Sequence, residues 1–133
     1  GDLADAIILC VDDNADVRDG MAVLLSGWDC DVRTIASSSE WRRGLAGDTP
    51  DLIIADYHLA GDEKGPDVVT EICGVLERVI PTIVITADPS EGLREDASRR
   101  GHAVLGKPVK PAALRALMSR MLSQRATVRR TAS

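Results

Sequence analysis

A doubly wound α/β fold, with five parallel strands enclosed by helices, is what this 133-residue sequence predicts. Three observations lead there. Short apolar runs alternate with stretches of helical periodicity five times over. Most of those runs are continuously apolar rather than alternating, which marks strands buried on both faces, as in a parallel sheet covered by helices. The connections are short, and right-handed crossovers then leave few topologies.

The elements follow in order. Ala6 to Val11 (AIILCV) reads as the first strand. Asn14 is placed to cap a helix whose apolar stripe is Val17, Met21, Leu24 and Leu25, with Gly27 as its stop. Asp31 to Ile35 (DVRTI) is a more polar strand. Ser38 or Ser39 starts a second helix running through Trp41 and Leu45 to Gly47. Leu52 to Ala55 (LIIA) is the third strand, and GDEKGP (61–66) reads as a loop after it, its acids solvated. Val68, Val69, Ile72, Cys73 and Leu76 line a third helix that ends before Pro81. Thr82 to Ile85 (TIVI) is the fourth strand. Pro89 and Ser90 open a polar helix with only Leu93 and Ala97 to bury. Ala103 to Leu105 is the last strand, and Pro111 fits the first turn of a helix with Leu114, Leu117, Met118, Met121 and Leu122 on its core face. Trp28 and Trp41 need only packing roles.

One domain over residues 6–123 accounts for all of this, with 1–5 as an N-terminal extension and 124–133 as a flexible tail. Apolar residues make up 44% and charged residues 28%, the profile of an ordinary globular protein. A net charge of −5 gives no basic field for nucleic acid, and the tail arginines Arg125, Arg129 and Arg130 read as solvated. No apolar run approaches the ~20 residues that span a bilayer, so no membrane contact is expected. Three cysteines without metal-type spacing (Cys10, Cys30 and Cys73) read as buried free thiols, which favours a reducing cytoplasm. The chain opens on Gly rather than Met, which suits a segment taken from a longer protein.

The polar residues are the informative ones. In open parallel sheets, ligands bind beyond the carboxyl ends of the strands. Read to that end, the first strand delivers Asp12 and Asp13, the third Asp56, the fourth Thr86 and then Asp88, and the fifth Lys107. Taken singly, each has an ordinary explanation: the acids as helix caps or turn formers, Thr86 as a strand residue, Lys107 as a surface charge. Taken together they describe one site. Three adjacent carboxylates repel, and a hard divalent ion that prefers oxygen, such as Mg²⁺ (or Mn²⁺), relieves them. A lysine and a hydroxyl suit an anion, and Asp56 is placed to attack a phosphoryl group in line.

The blocks ILCVDDN, DLIIADYHLAG, TIVITAD and GKPVKP resemble the receiver domain of two-component response regulators over about residues 6 to 123. That resemblance implies a flavodoxin-like sheet in the order 2-1-3-4-5. It implies that Asp56 takes a phosphoryl group from phosphohistidine on a histidine kinase or a histidine phosphotransfer domain. Asp12 and Asp13 would hold Mg²⁺, Asp13 directly and Asp12 largely through water, with Asp56 and the main-chain carbonyl of His58 as further ligands. Thr86 would be the switch hydroxyl, Lys107 its partner at the phosphoryl group, and the Lys107–Pro108 bond cis. His58 and Asp88, two residues beyond Asp56 and Thr86, would tune phosphoryl loss. WDCDV and KPVKPAALRALM resemble the C-terminal receiver of a hybrid histidine kinase. The alternatives are a stand-alone regulator and a pseudo-receiver that is never phosphorylated.

One position departs from the family. Receivers usually carry Tyr or Phe three residues before the lysine, where this chain has Val104; it contains no Phe at all. Relay through an aromatic rotor is therefore not expected, and His102, of the same strand parity, reads as an ordinary strand residue. Competing classes fit less well. A phosphatase of the haloacid-dehalogenase type needs a carboxylate where this chain has His58, and room for a cap. A nucleotide-binding Rossmann module needs a glycine-rich turn where this chain has VDDNAD.

Overall fold

The computed structural model of the protein describes the backbone of residues 3–132 and the side chains of residues 3–124. Five strands, β1 (Ile7–Val11), β2 (Asp31–Ile35), β3 (Leu52–Asp56), β4 (Thr82–Thr86) and β5 (Ala103–Gly106), form one sheet in the order β2-β1-β3-β4-β5. Every pairing is parallel, with Ile8 beside both Val32 and Leu52, and Ile83 beside Ala103. The helices are α1 (Ala15–Ser26), α2 (Trp41–Leu45, after a 3-10 turn at Ser38–Glu40), α3 (Gly65–Leu76), α4 (Glu91–Arg100) and α5 (Pro111–Ala132).

Strand side chains alternate between two apolar layers, and this is why the central runs are apolar throughout. Ile8, Cys10, Leu52, Ile54, Ile83 and Ile85 meet Leu25 of α1 and Leu114, Met118 and Leu122 of α5. Leu9, Val11, Ile53 and Ala55 meet Trp41 and Leu45 of α2 and Val68, Val69 and Ile72 of α3. Each fully buried Ile or Leu contributes about 1.5–3 kcal/mol to this sandwich. The polar strand β2 sits at an edge, where Arg33 reaches the carboxylates of Asp31 and Asp48 and the carbonyls of Gly44 and Leu45.

Helix starts follow the expected chemistry. The Asn14 side chain accepts from the Val17 N–H, and Ser90 accepts from the Leu93 N–H. Other details differ. Val17 is exposed, so α1 buries itself through Leu25 with Met21 and Leu24 half-covered. Gly27 is right-handed at φ −63, and the left-handed turn falls on Asp29 at φ 66. Gly65 and Pro66 belong to α3, not to the loop before it, with Pro in the first turn where its missing N–H costs nothing. Leu3 is buried in the α1–α5 layer, so the first residues do more than extend the chain. Cys10 and Cys30 are buried free thiols, whereas Cys73 is only partly covered. Helix α5 continues to Ala132, and the side chains of the expected tail from residue 125 lie outside those described. No helix among the described residues is long and apolar enough to cross a membrane.

Candidate functional site

The carboxyl edge of the sheet gathers its polar residues because four of the five strands end on one or lead straight into one. Asp12 follows β1, Asp56 closes β3, Thr86 closes β4, and Lys107 follows β5. The parallel register sets these strand tips side by side: Val11 pairs with Ala55, Asp56 with Ile85, and Thr86 with Gly106. One carboxylate oxygen from each of Asp12, Asp13 and Asp56 lies within 4.8 Å of the others. Asp12 and Asp56 are 9% and 8% exposed, and Asp13 is open to solvent. Lys107 Nζ stands 3.2 Å from Asp56 Oδ1. The Lys107–Pro108 bond is cis, and the Lys107 N–H donates to the Thr86 carbonyl at 2.8 Å.

This crowding has an electrostatic signature. Burial, reinforced by the charges of Asp56 and Asp13, pushes the Asp12 carboxyl above the ordinary carboxylate range. The Asn14 N–H, 2.9 Å from Asp12 Oδ1, and the Lys107 cation pull it back without cancelling the effect. Three oxygen ligands, a raised carboxyl pKa and an open side at Asp13 fit a hard divalent cation, for which oxygen donors are the preferred set.

Thr86, only 2% exposed, does not turn its hydroxyl to a carboxylate. It donates to the Asp88 carbonyl at 3.3 Å and accepts from the Asp88 N–H at 3.2 Å. The Asp88 side chain itself is exposed. His58, also exposed, accepts at Nδ1 from Lys64 Nζ at 2.9 Å and meets the Tyr57 ring edge-on at 4.8 Å. Val104 lines a groove with Ala113, Ala116, Leu117 and Arg120 of α5. His102 lies in a different cleft, with Val69 and Cys73 of α3. The two residues of matching parity therefore occupy separate environments.

Sequence reasoning missed three participants. Gly65 is required because a Cβ there would collide with the Asp56 carbonyl oxygen, and its own N–H donates to the Tyr57 carbonyl. Only the Gly-Pro pair at a helix start hinted at it. Glu63 is not a freely solvated acid: its carboxylate accepts from the Ser38 N–H at 3.1 Å and the Ser38 hydroxyl at 2.6 Å, tying the β3–α3 loop to the turn after β2. Arg18 of α1 donates through Nη1 to the Asp12 carbonyl at 2.7 Å.

Beside the acids opens a cavity of about 530 Å³, lined by Cys10, Ile54 and Ile85 from the sheet, Met21 from α1, and Pro108 and Val109 from the following loop. It is apolar within, and Asp12, Asp56, Arg18 and Lys107 also line it.

Comparison with known proteins gives the family and the fold. Residues 8–119 match the family described as response regulator receiver domain. The receiver-domain protein (CheY-like) of Methanospirillum hungatei JF-1 superposes with a TM-score of 0.81 at 21% identity, covering 93% of this chain and 98% of that one. Chemotaxis protein CheY4 of Vibrio cholerae gives 0.79 at 23% identity, over 89% and 99%. NtrX of Brucella abortus gives 0.84 at 27% identity, over 96% of this chain but 29% of NtrX. No curated protein matches the sequence closely enough to count as a relative. The low-identity superpositions establish the fold, and the family match spans most of the chain: it belongs to the response regulator receiver domain family.

Proposed function

We propose that this receiver is a phosphoacceptor in a two-component phosphorelay, with Asp56 as the residue modified. The observation that carries the reading is the convergence of the Asp12, Asp13 and Asp56 carboxylates beside Lys107 Nζ. An Asp56 oxygen attacks the phosphorus of a phosphohistidine, the N–P bond breaks as the O–P bond forms, and the imidazole leaves. Lys107, already paired to Asp56, moves its charge onto a phosphoryl oxygen. Thr86 supplies a hydroxyl donor once its hold on Asp88 is released.

Asp12, Asp13, Asp56 and the main-chain carbonyl of His58 would hold Mg²⁺ (or Mn²⁺), which supplies positive charge to the phosphoryl oxygens. His58 and Asp88 border the group and set the rate at which water removes it. The donor is a histidine kinase or a histidine phosphotransfer domain in the cytoplasm, and we place the chain as the C-terminal receiver of a hybrid kinase on the strength of WDCDV and KPVKPAALRALM. The coding sequence upstream of Gly1 tests that placement, since an immediate start codon would make it a stand-alone regulator.

The direct test is incubation with acetyl phosphate and Mg²⁺, followed by intact mass. One phosphoryl group is expected on the wild type and none on Asp56→Asn. An unlabelled wild type would favour an unphosphorylated interaction module, and a labelled Asp56→Asn would move the acceptor elsewhere.

A further inference from the structure

Arg18 stands where a helix does not favour it. It is the fourth residue of α1, near the positive end of the helix dipole, where an acid is preferred over a cation. Among the described residues no carboxylate ion-pairs with it. It is half-buried, and its guanidinium reaches back six residues to the Asp12 carbonyl at 2.7 Å, at the short end of the N–H···O range. A local rule broken without a local compensation points to a role at the site.

We propose that Arg18 is a positioning residue for the acidic loop: by clamping the Asp12 carbonyl it holds Asp12 and Asp13 at the distance from Asp56 that a divalent cation requires. The inference rests on the function proposed above and names a residue that the site's own chemistry does not reveal. The surrounding bonds make the clamp necessary. The Asp12 N–H is held by the Ile35 carbonyl, and the Asp12 side chain by the Asn14 N–H. Among the described residues, only the Arg18 bond fixes the peptide that joins Asp12 to Asp13. Three mutually repelling carboxylates press that peptide outward, so an unheld loop relaxes by moving Asp13 away. The guanidinium suits the task because it stays charged and its planar fork loses little freedom on binding. Losing a group that orients a metal's ligands typically weakens its affinity by about 10–100-fold.

The sign of the effect separates this role from simple electrostatics. Deleting a cation beside a cation site should tighten Mg²⁺ binding, whereas deleting the clamp should weaken it. Calorimetric titration of Mg²⁺ at fixed ionic strength reads the difference. Arg18→Ala is expected to weaken affinity by about tenfold, with Arg18→Lys recovering most of the loss because it restores a charged donor. Labelling by acetyl phosphate should slow in Arg18→Ala at low Mg²⁺ and recover at saturation. Should Arg18→Ala fail to fold, Arg18→Met, which keeps the apolar stem, gives the same comparison. Unchanged or tighter binding in the clampless variant overturns the inference, as does a lysine variant no better than alanine. A wild type that binds no Mg²⁺ defeats this inference and the proposed function together, whereas normal binding in wild type and Arg18→Ala alike defeats only the clamp.

Discussion

Helices α3 and α4 are neighbours of equal standing in the topology, joined through Arg100, yet they are anchored very differently. α3 buries Gly65, Pro66, Val68, Val69 and Ile72, and its first residue lies against the main chain of Asp56. α4 buries only Leu93 and Ala97, and its other contacts include exposed charge pairs. One side of the site is held by packing and the other by little more than a cap. The firm side fixes where Asp56 sits, and the loose side is free to respond to what happens there.

The sharpest way to break this contrast is at Gly65. Because a Cβ there meets the Asp56 carbonyl, Gly65→Ala should cost about 3 kcal/mol or more in urea unfolding and disturb labelling at Asp56. A variant as stable as wild type would show that the α3 start has slack. Next, Ile72→Ala should cost about 3–4 kcal/mol and Leu93→Ala about 2 kcal/mol, because the first leaves a cavity in a closed layer and the second lets a loose helix settle. Equal losses would erase the distinction. Hydrogen exchange should agree, with α4 amides exchanging before those of α3.

A smaller effect should come from the charge crowded at the site itself. The Asp12 carboxyl is raised in the folded protein, so the fold prefers it protonated. Stability is then lost as pH rises from the unfolded carboxylate pKa through the higher folded one. Without divalent cations, Asp12→Asn should melt higher than wild type at neutral pH, and the advantage should vanish in acid below both values. The smallest effect belongs to Asp67→Ala, which removes the 3.1 Å pair to Arg100 between the two helices; exposed pairs of this kind contribute about 0.5 kcal/mol or less, and added salt should hide the difference.

Much of this was legible beforehand because the signals were local. Continuous apolar strands, Asn14 and Ser90 as caps, and the two lone anchors of α4 follow from side-chain chemistry within a turn or two. The strand-end acids were legible too, since a parallel sheet delivers strand termini to one edge. What escaped was set by contacts between elements distant in sequence. Ser38 with Glu63, and Gly65 beneath the Asp56 carbonyl, depend on how close two loops come, which no periodicity encodes. Val17 was misread because the helical spacing that puts it on the stripe says nothing of where the sheet stops covering it; at the rim of the cavity it meets solvent.

The hydroxyl of Thr86 has a single proton. While it serves the Asp88 main chain, as donor and as acceptor, it latches the bend that leads into Pro89 and the α4 cap. On the function proposed here, an anion on Asp56 that accepts from this hydroxyl takes the donor half of the latch, and the bend at the entrance to the least anchored helix keeps only the bond from the Asp88 N–H. That route involves no swinging ring, so on the same proposal a valine at position 104 shortens the wire rather than cutting it.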